Sequence, residues 1–261
     1  MTRVGFQTMH GVRAILAAPI LLLASGCIVV EGLECRHRES REAVLPAAPG
    51  LRRVEVRALA GSLSIAGQPG SGEVRAEGVA CARRRRDLGS IDLTARVDGD
   101  RILIEAVIPR AARRRSGRLD ISITVPPNVE LMVRDTSGDV EIAGVAAVKL
   151  DDASGDVLLE HIAGDVAVTD RSGDVEAYDI GGAFRIEDGS GDIVVRGAAS
   201  VTVVSDGSGG IEIHDVAGDV TILDDGSGNI EVTAIGGDLR IDDAGSGDVD
   251  YADVRGRVEI R

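Results

Sequence analysis

Short apolar runs recur along residues 135–261, and each run follows the same polar turn. The turn has the pattern Asp-x-Ser-Gly-[Asp/Gly/Asn]-[Val/Ile], and its serines lie 17 to 19 residues apart, at positions 137, 154, 172, 190, 208, 227 and 246. The seventh copy is longer by one residue. A weaker glycine pattern lies about halfway between the turns, at Gly164, Gly182, Gly218, Gly237 and Gly256. Two units of about nine residues in each interval are typical of a stacked solenoid.

Each nine-residue unit predicts one short strand, in which apolar residues flank a polar one. Residues 140–142 and 211–213 follow Ser-Gly turns, and residues 166–168 and 220–222 follow second glycines. Side chains alternate between the two faces of a strand, so the flanking residues point inward and the middle residue points outward. A single unit cannot bury its apolar side alone. We therefore predict an all-β fold, a flattened parallel β-solenoid with two strands in each turn of about 18 residues.

Each repeat of about 18 residues has two corners, the first at the Ser-Gly turn and the second at the glycine about halfway to the next Ser-Gly turn. Glycine at both corners predicts positive φ angles there, because a sharp change of chain direction requires them. The corner glycines of the Ser-Gly turns are Gly138, Gly155, Gly173, Gly191, Gly209, Gly228 and Gly247. An apolar residue precedes each second corner, and we expect it to fill that corner. These residues are Ile162, Ile180, Val216, Ile235 and Val254.

The chain before the repeats divides into three further segments. Residues 1–26 are a predicted signal peptide, and residues 27–50 are a predicted linker with a lipidated start. Residues 51–130 contain alternating runs at 54–56, 63–65, 91–93, 102–104 and 121–125, but their spacing is irregular. We interpret this segment as an irregular β region that caps or begins the solenoid of residues 131–261.

The signal peptide prediction rests on a basic start, a short apolar run and small residues after it. Arg3 and Arg13 precede an apolar run over residues 14–24, which is shorter than the ~20 residues that a transmembrane helix needs. The segment that ends at Cys27 resembles the bacterial lipobox, which implies that Cys27 is lipidated; cleavage without modification is the alternative. Ile28 follows, so an aspartate retention signal is absent, and the rules for such lipoproteins imply the outer membrane.

Two further cysteines, Cys35 and Cys81, remain in a chain predicted to enter an oxidising compartment. One disulfide between them is the expected outcome, and two unpaired buried thiols are the alternative. The chain lacks a redox Cys-x-x-Cys motif and a zinc-binding pattern, and its four histidines are scattered.

Charge is divided unequally along the chain. Residues 1–130 contain 20 basic and 14 acidic residues, whereas residues 131–261 contain 9 basic and 29 acidic residues. Arginine clusters lie at 83–86 and 110–118, and they either contact anionic envelope components or form solvated loops. Nucleic acid is excluded as a partner, because the chain is exported, acidic overall and has no aromatic residues beside the arginines.

In-register stacking would align the repeated aspartates in two columns. One column contains Asp139, Asp156, Asp174, Asp192 and Asp248, and the other contains Asp135, Asp152, Asp170, Asp188, Asp206, Asp225 and Asp243. Backbone N–H donors within each turn are the expected partners of these carboxylates. Calcium bound along the first column is the alternative, since Ca²⁺ prefers several carboxylate and carbonyl oxygens. No other cofactor is predicted.

Catalytic patterns fail in this sequence. The chain contains neither Gly-x-Ser-x-Gly nor a phosphate-binding loop before a helix. Acidic pairs recur in every repeat, which argues against one tuned acid–base couple. The sequence therefore predicts a protein that is not an enzyme; an enzyme acting on polysaccharides is the weakest alternative.

A family resemblance supports this interpretation. Ile-Thr-Val-Pro at residues 123–126, then Val133, and Ser-Gly-Asp-Val-Glu-Ile at residues 137–142 with later copies, resemble the bacterial "putative adhesin" domain family of unknown function. The resemblance covers roughly residues 50–261, and the segment around Cys81 is similar to the family's lipoprotein members. It implies a β-solenoid of the cell envelope, held to the membrane by an N-terminal lipid and able to bind an envelope polymer or protein. It supplies no catalytic residues.

Overall fold

The computed structural model describes residues 35–261, and most of this stretch is β-strand. The predicted signal peptide and Cys27 lie outside the described residues. The only helices among residues 35–261 are α1 (Arg85–Leu88) and α2 (Arg110–Arg113), of four residues each. Within this part of the chain, neither helix has the length and apolar character needed to cross a membrane.

Twenty strands follow one another along the described chain. They are β1 His37–Pro46, β2 Arg53–Arg57, β3 Leu63–Gly67, β4 Glu73–Ala82, β5 Asp92–Asp98, β6 Arg101–Val107, β7 Arg118–Val125, β8 Glu130–Arg134, β9 Val140–Ala143 and β10 Ala147–Asp151. They continue with β11 Val157–Ile162, β12 Val166–Thr169, β13 Val175–Glu187, β14 Ile193–Ser205, β15 Ile211–Val216, β16 Val220–Ile222, β17 Ile230–Ile235, β18 Leu239–Ile241, β19 Val249–Val254 and β20 Val258–Ile260.

These strands form two parallel stacks, as the repeat predicts. The corner sheet begins with β7 and β3. The strands that follow the seven Ser-Gly turns continue it in the order β9, β11, the first halves of β13 and β14, β15, β17 and β19. The opposite sheet contains β6, β2, β8, β10, β12, the second halves of β13 and β14, β16, β18 and β20. Equivalent residues of successive repeats are paired, for example Val157 with Val175. The predicted parallel β-solenoid is confirmed.

Each full turn of the solenoid, with one strand in each parallel sheet, is called a coil below. The segment predicted as irregular β forms two further coils, and their order in the stack differs from their order in the sequence. The coil of β2 and β3 lies directly against that of β8 and β9, whereas the later coil of β6 and β7 lies on its other side. The first coil in the sequence is therefore the second in the stack. It lies between the coil of β6 and β7, which is at the end of the solenoid, and the coil of β8 and β9, which begins the repeats. Residues 51–130 thus begin the solenoid as well as cap it.

Antiparallel strands cover the end of the solenoid formed by the coil of β6 and β7, which we call the capped end. β4 pairs antiparallel with β7, β1 pairs antiparallel with β4, and β5 pairs antiparallel with β6. β1 occupies residues 37–46 of the segment predicted as a linker, so that prediction is wrong there. Most β1 side chains are exposed or half-buried. Its main stabilisation is the backbone ladder to β4, which leaves little apolar pattern in the sequence.

The core lies between the two parallel sheets and is filled by the apolar residues that flank each strand centre. Ile193, Val195, Ile211 and Ile213 are fully buried, whereas Glu212 between the last two is exposed. Burial of each such aliphatic side chain contributes about 1.5–3 kcal/mol relative to exposure. Four of the residues predicted to fill the second corner are also buried; they are Ile162, Ile180, Val216 and Ile235.

The two corners use glycine for different reasons. At the Ser-Gly corner, Gly138, Gly155, Gly173, Gly191, Gly209 and Gly228 have φ angles between 126° and 156°, as predicted. Gly247 in the longer seventh copy has no positive φ, and Gly245 at 57° has it instead.

The prediction of positive φ at the second corner is wrong. None of Gly164, Gly182, Gly218, Gly237 and Gly256 has a positive φ angle. The left-handed residues lie earlier in each coil, at Gly144, His161, Asp179, Gly197, Asp215, Ala234 and Asp253. Second-corner glycines are needed for space, because a Cβ on Gly218 would lie 2.7 Å from the carbonyl oxygen of Ala199 in the preceding coil.

Cys35 and Cys81 are bonded to each other, with their Cα atoms 5.5 Å apart. The bond joins the start of β1 to β4 across 46 residues of chain. A cross-link over a loop of this length stabilises by ~4 kcal/mol in the chain-entropy model.

We expect the double substitution Cys35→Ala and Cys81→Ala to lower the melting temperature by about 8–15 °C, because ~4 kcal/mol corresponds to that shift in a domain of this size. Thermal unfolding followed by circular dichroism measures it, with Cys27→Ser as the matched control that leaves the temperature unchanged. Equal melting of the double variant and the native chain would show that the thiols are unpaired.

Candidate functional site

The first aspartate column is exposed to solvent at the Ser-Gly corners, just before the strands of the corner sheet. Its side chains form hydrogen bonds from each coil to the next. Asp139, Asp156, Asp174 and Asp192 each accept, through Oδ1, the backbone N–H of the equivalent residue in the next coil, at 3.3, 3.1, 2.9 and 2.7 Å. Asn229 accepts from Asp248 in the same way at 3.2 Å. The prediction that these carboxylates accept hydrogen bonds from N–H groups of their own turn is therefore wrong for this column. The N–H group that faces each carboxylate belongs to the following coil.

The geometry of this column does not support the calcium hypothesis. One oxygen of each of the four carboxylates is engaged by a backbone donor, and successive carboxylates lie on successive coils rather than around one point. Throughout residues 35–261, no three His, Cys, Asp or Glu side chains are grouped in a way that could hold a metal ion.

The second aspartate column lies inside the protein. Asp135, Asp152, Asp170, Asp188, Asp206 and Asp225 are only 0–6 % exposed. Apart from one oxygen of Asp188, which accepts the N–H of Gly189 at 2.7 Å, their carboxylate oxygens are buried without a hydrogen-bond partner in the described chain. The seventh member, Asp243, is exposed and accepts the N–H of Gly245 at 3.0 Å. An unpaired ionised carboxylate is costly in such surroundings.

Burial shifts the ionisation of this inner column strongly. Removal from water raises the pKa of Asp135 and of Asp206 to about 7, and that of Asp152 and of Asp188 to about 6. The carboxylates of neighbouring coils add to the rise. The backbone N–H groups that follow each aspartate partly oppose it, although only that of Gly189 completes a hydrogen bond with good geometry. Asp135 and Asp206 therefore remain partly protonated near neutral pH, and Asp152 and Asp188 become protonated in mild acid.

The exposed face of the corner sheet is a mostly acidic strip. Strand register places Glu141, Leu158, Glu176, Val194, Glu212, Glu231 and Asp250 side by side on successive coils. Beside it, a shallow groove is lined by residues that include Ser62, Ser64, Asp139, Glu141, Asp156 and Asp174. We call the seven aligned residues the acidic strip. Its residues follow one another at the ~4.8 Å spacing of stacked strands, and consecutive coils carry negative charge from Glu212 through Glu231 to Asp250.

The opposite sheet presents a face of mixed charge. Strand register aligns its outward-facing residues, which are Lys149, Ala167, Arg185, Thr202, Thr221, Arg240 and Glu259. Nearer the capped end, Glu55 is 4 % exposed and lies 2.6 Å from Arg57 and 2.9 Å from Arg101. This pairing compensates the buried charge of Glu55 and holds together two adjacent coils.

Comparison of the sequence with models of protein families shows which family this chain belongs to. The model of the Toastrack DUF4097 family matches residues 42–206, which include the first two coils and four of the Ser-Gly turns. The chain belongs to the Toastrack family. Curated protein sequences contain no significant match to it.

Several solved structures are similar to this Toastrack chain in fold. A "putative adhesin" of Bacteroides fragilis is 13 % identical, with a TM-score of 0.46, and the match covers 87 % of this chain and 98 % of that one. A "putative lipid binding protein" of Parabacteroides distasonis is 14 % identical, with a TM-score of 0.46 and coverage of 86 % and 98 %. A "putative cell adhesion protein" of Clostridium sporogenes is 11 % identical, with a TM-score of 0.34 and coverage of 85 % and 99 %.

The two arginine clusters of this Toastrack chain meet at its capped end. Arg115 donates to Asp87 through Nε at 2.9 Å and Nη2 at 2.7 Å, which joins the segment after α2 to α1. Asp87 is buried, and its hydrogen bonds with Arg115 lower its pKa. The sequence showed both clusters but gave no sign that they are neighbours, because the segments are 28 residues apart.

Proposed function

We propose that this chain is a lipid-anchored protein of the bacterial cell envelope, and that its solenoid is a binding or scaffolding surface without catalytic activity. The acidic strip supports this proposal, because register places a carboxylate on five of seven successive coils, with Leu158 and Val194 on the other two. Such a surface fits an extended partner, either an envelope polymer or a protein, that makes repeated contacts. Repetition of one chemical environment favours binding along the solenoid over reaction at one point.

The binding role is tested by sedimentation of the purified full chain with isolated cell envelopes. Cys27→Ser is introduced throughout, so that a lipid on this residue cannot retain the protein. We expect Glu176→Gln, Glu212→Gln and Glu231→Gln together to abolish most of the retention, because they remove the charge at the centre of the acidic strip. The matched control is Arg185→Gln, Thr202→Ala and Thr221→Ala on the opposite sheet. Equal retention of both triple variants would reject the acidic strip as the binding surface.

The location is tested with an epitope tag after Arg261. Antibody labelling of intact cells would place the solenoid outside the cell and favour adhesion. Labelling only after permeabilisation would favour a scaffold in the periplasm. The Cys27→Ser variant is the control for anchoring, and its equal recovery in the membrane fraction would contradict the lipid anchor.

A further inference from the structure

Five arginines line one pocket at the capped end of the solenoid. The pocket is lined by Arg36, Arg83, Arg84, Arg114, Arg115 and Ser116. These residues come from three segments distant in sequence: the chain just before β1, the turn between β4 and α1, and the segment that follows α2. We call this group the arginine pocket. Its positive charge is concentrated in a chain whose repeats are strongly acidic.

Two cross-links hold these three segments in place. The Cys35–Cys81 disulfide fixes Arg36 beside the segment that contains Arg83. The bidentate pair between Arg115 and buried Asp87 fixes the segment after α2 against α1. The backbone that positions the arginines is therefore ordered without a ligand, which reduces the entropy cost of binding.

Four of the five arginines keep their charge available. Arg36, Arg83, Arg84 and Arg114 are exposed, and within residues 35–261 none of them has a carboxylate at ion-pair distance. Only Arg115 is neutralised, through Asp87. Guanidinium groups bind phosphate oxygens through paired hydrogen bonds, and an anion between several of them relieves their mutual repulsion. The chemistry of the arginine pocket thus fits a phosphate group.

The position of the arginine pocket in the sequence favours phosphate at a membrane surface. Cys27 precedes Arg36 by nine residues, a stretch that spans at most about 30 Å. A lipid on Cys27 would keep the pocket close to the headgroups, where their effective concentration is high. The acidic repeats would be repelled by an anionic membrane, so the capped end is the part that can approach it.

We propose that the arginine pocket binds the phosphate headgroups of anionic membrane lipids and orients the capped end of the solenoid towards the membrane. The inference rests on the lipid anchor proposed above. Phosphate free in solution offers the same chemistry from another source, so the test separates the two.

The test is hydrogen–deuterium exchange of the full chain with phosphatidylcholine vesicles, with vesicles that also contain phosphatidylglycerol, and with phosphatidylcholine vesicles plus inorganic phosphate. We expect phosphatidylglycerol to slow exchange of residues 83–88 and 110–117 by about tenfold, as several arginines engage the surface. The variant Arg36→Gln, Arg83→Gln, Arg84→Gln and Arg114→Gln loses this protection. Its matched control, Arg171→Gln, Arg185→Gln, Arg196→Gln and Arg255→Gln, removes equal charge from the solenoid and retains it.

Protection by inorganic phosphate alone, to the same extent, would overturn the lipid assignment. Unchanged exchange with phosphatidylglycerol, or equal loss in both quadruple variants, would overturn the arginine pocket as the site. The mass of the same protein sample reports whether Cys27 is lipidated. Failure of the anchor is therefore seen as an unmodified mass, separately from failure of headgroup binding. Unchanged melting temperatures of both quadruple variants show that neither acts through unfolding.

Discussion

Substitution of Gly191 by alanine is expected to destabilise the solenoid by more than about 4 kcal/mol, a loss seen only when a substitution breaks packing or backbone geometry. Gly191 has a φ angle of 142°, which L side chains rarely adopt. Its missing Cβ would overlap the carbonyl oxygen of Gly173 in the preceding coil. The N–H of Gly191 also donates to Ser208 of the next coil at 3.0 Å, so the backbone cannot shift without loss of inter-coil bonds.

Substitutions at two other glycines distinguish the effect of the positive φ angle on stability from the effect of the close contact between coils. Gly70 also has a positive φ, of 79°, but nothing lies within 4 Å of its missing Cβ, so Gly70→Ala should cost only about 1–2 kcal/mol. Gly72 has neither feature, and Gly72→Ala should change the free energy of unfolding by less than about 0.5 kcal/mol. Urea unfolding measures all three. Similar losses for Gly191→Ala and Gly70→Ala would show that coils can separate locally, and would contradict close stacking as the main constraint.

The sequence predicts the repeated part of this fold well because one pattern specifies several levels of structure. The 18-residue interval indicates the coil, and the alternation around Glu212 indicates which side chains face the core. Both columns of aspartates also follow from the interval alone. Sequence pattern cannot tell which coil lies next to which when several have the same alternation. For that reason the stacking of the 101–125 coil outside the 53–67 coil was not predictable.

Burial of one aspartate column was unpredictable for a similar reason. Asp139 and Asp135 lie in the same turn and both would ordinarily be solvated. Asp135 is 6 % exposed because the corner encloses it, whereas Asp139 faces solvent. The sequence distinguishes them only by their offsets from the serine. The consequence of this burial is a dependence of stability on pH that is unusual for an acidic protein.

The protein is expected to be more stable at pH 5 than at pH 8. The pKa values of Asp135, Asp152, Asp188 and Asp206 are raised to about 6 or 7 in the folded chain, above the ordinary value of 3.8. Between these values the folded state binds more protons than the unfolded state, so acidification favours folding. This contribution is complete below about pH 4 and is lost as the pH rises through 6 to 7. Each pKa unit corresponds to about 1.4 kcal/mol, and between pH 5 and pH 8 the four groups together titrate over about six units, or ~8 kcal/mol. The melting temperature at pH 5 should therefore exceed that at pH 8 by about 15–30 °C.

Asp206→Asn tests the origin of this dependence. Desolvation is the largest cause of the raised pKa of Asp206, and the carboxylates of Asp188 and Asp225 add to it. An asparagine cannot ionise and also removes a charge that acts on these neighbours, so the difference in melting temperature between pH 5 and pH 8 should become smaller. The matched control is Asp156→Asn, an exposed position at which an amide oxygen can still accept the N–H of Asp174, as Asn229 does for Asp248.

The control should keep the pH dependence of the native chain. Below about pH 4 a different set of carboxylates dominates, because Asp87, Asp98 and Asp242 have pKa values lowered by hydrogen bonds from arginines. Protonation of these groups breaks ion pairs, so stability should fall again at strongly acidic pH, and the profile should have a maximum between about pH 4 and 6. A profile that rises steadily from pH 5 to pH 8 would mean that the inner column is ionised and compensated in the folded protein. Its buried carboxylates would then need a bound cation or ordered water.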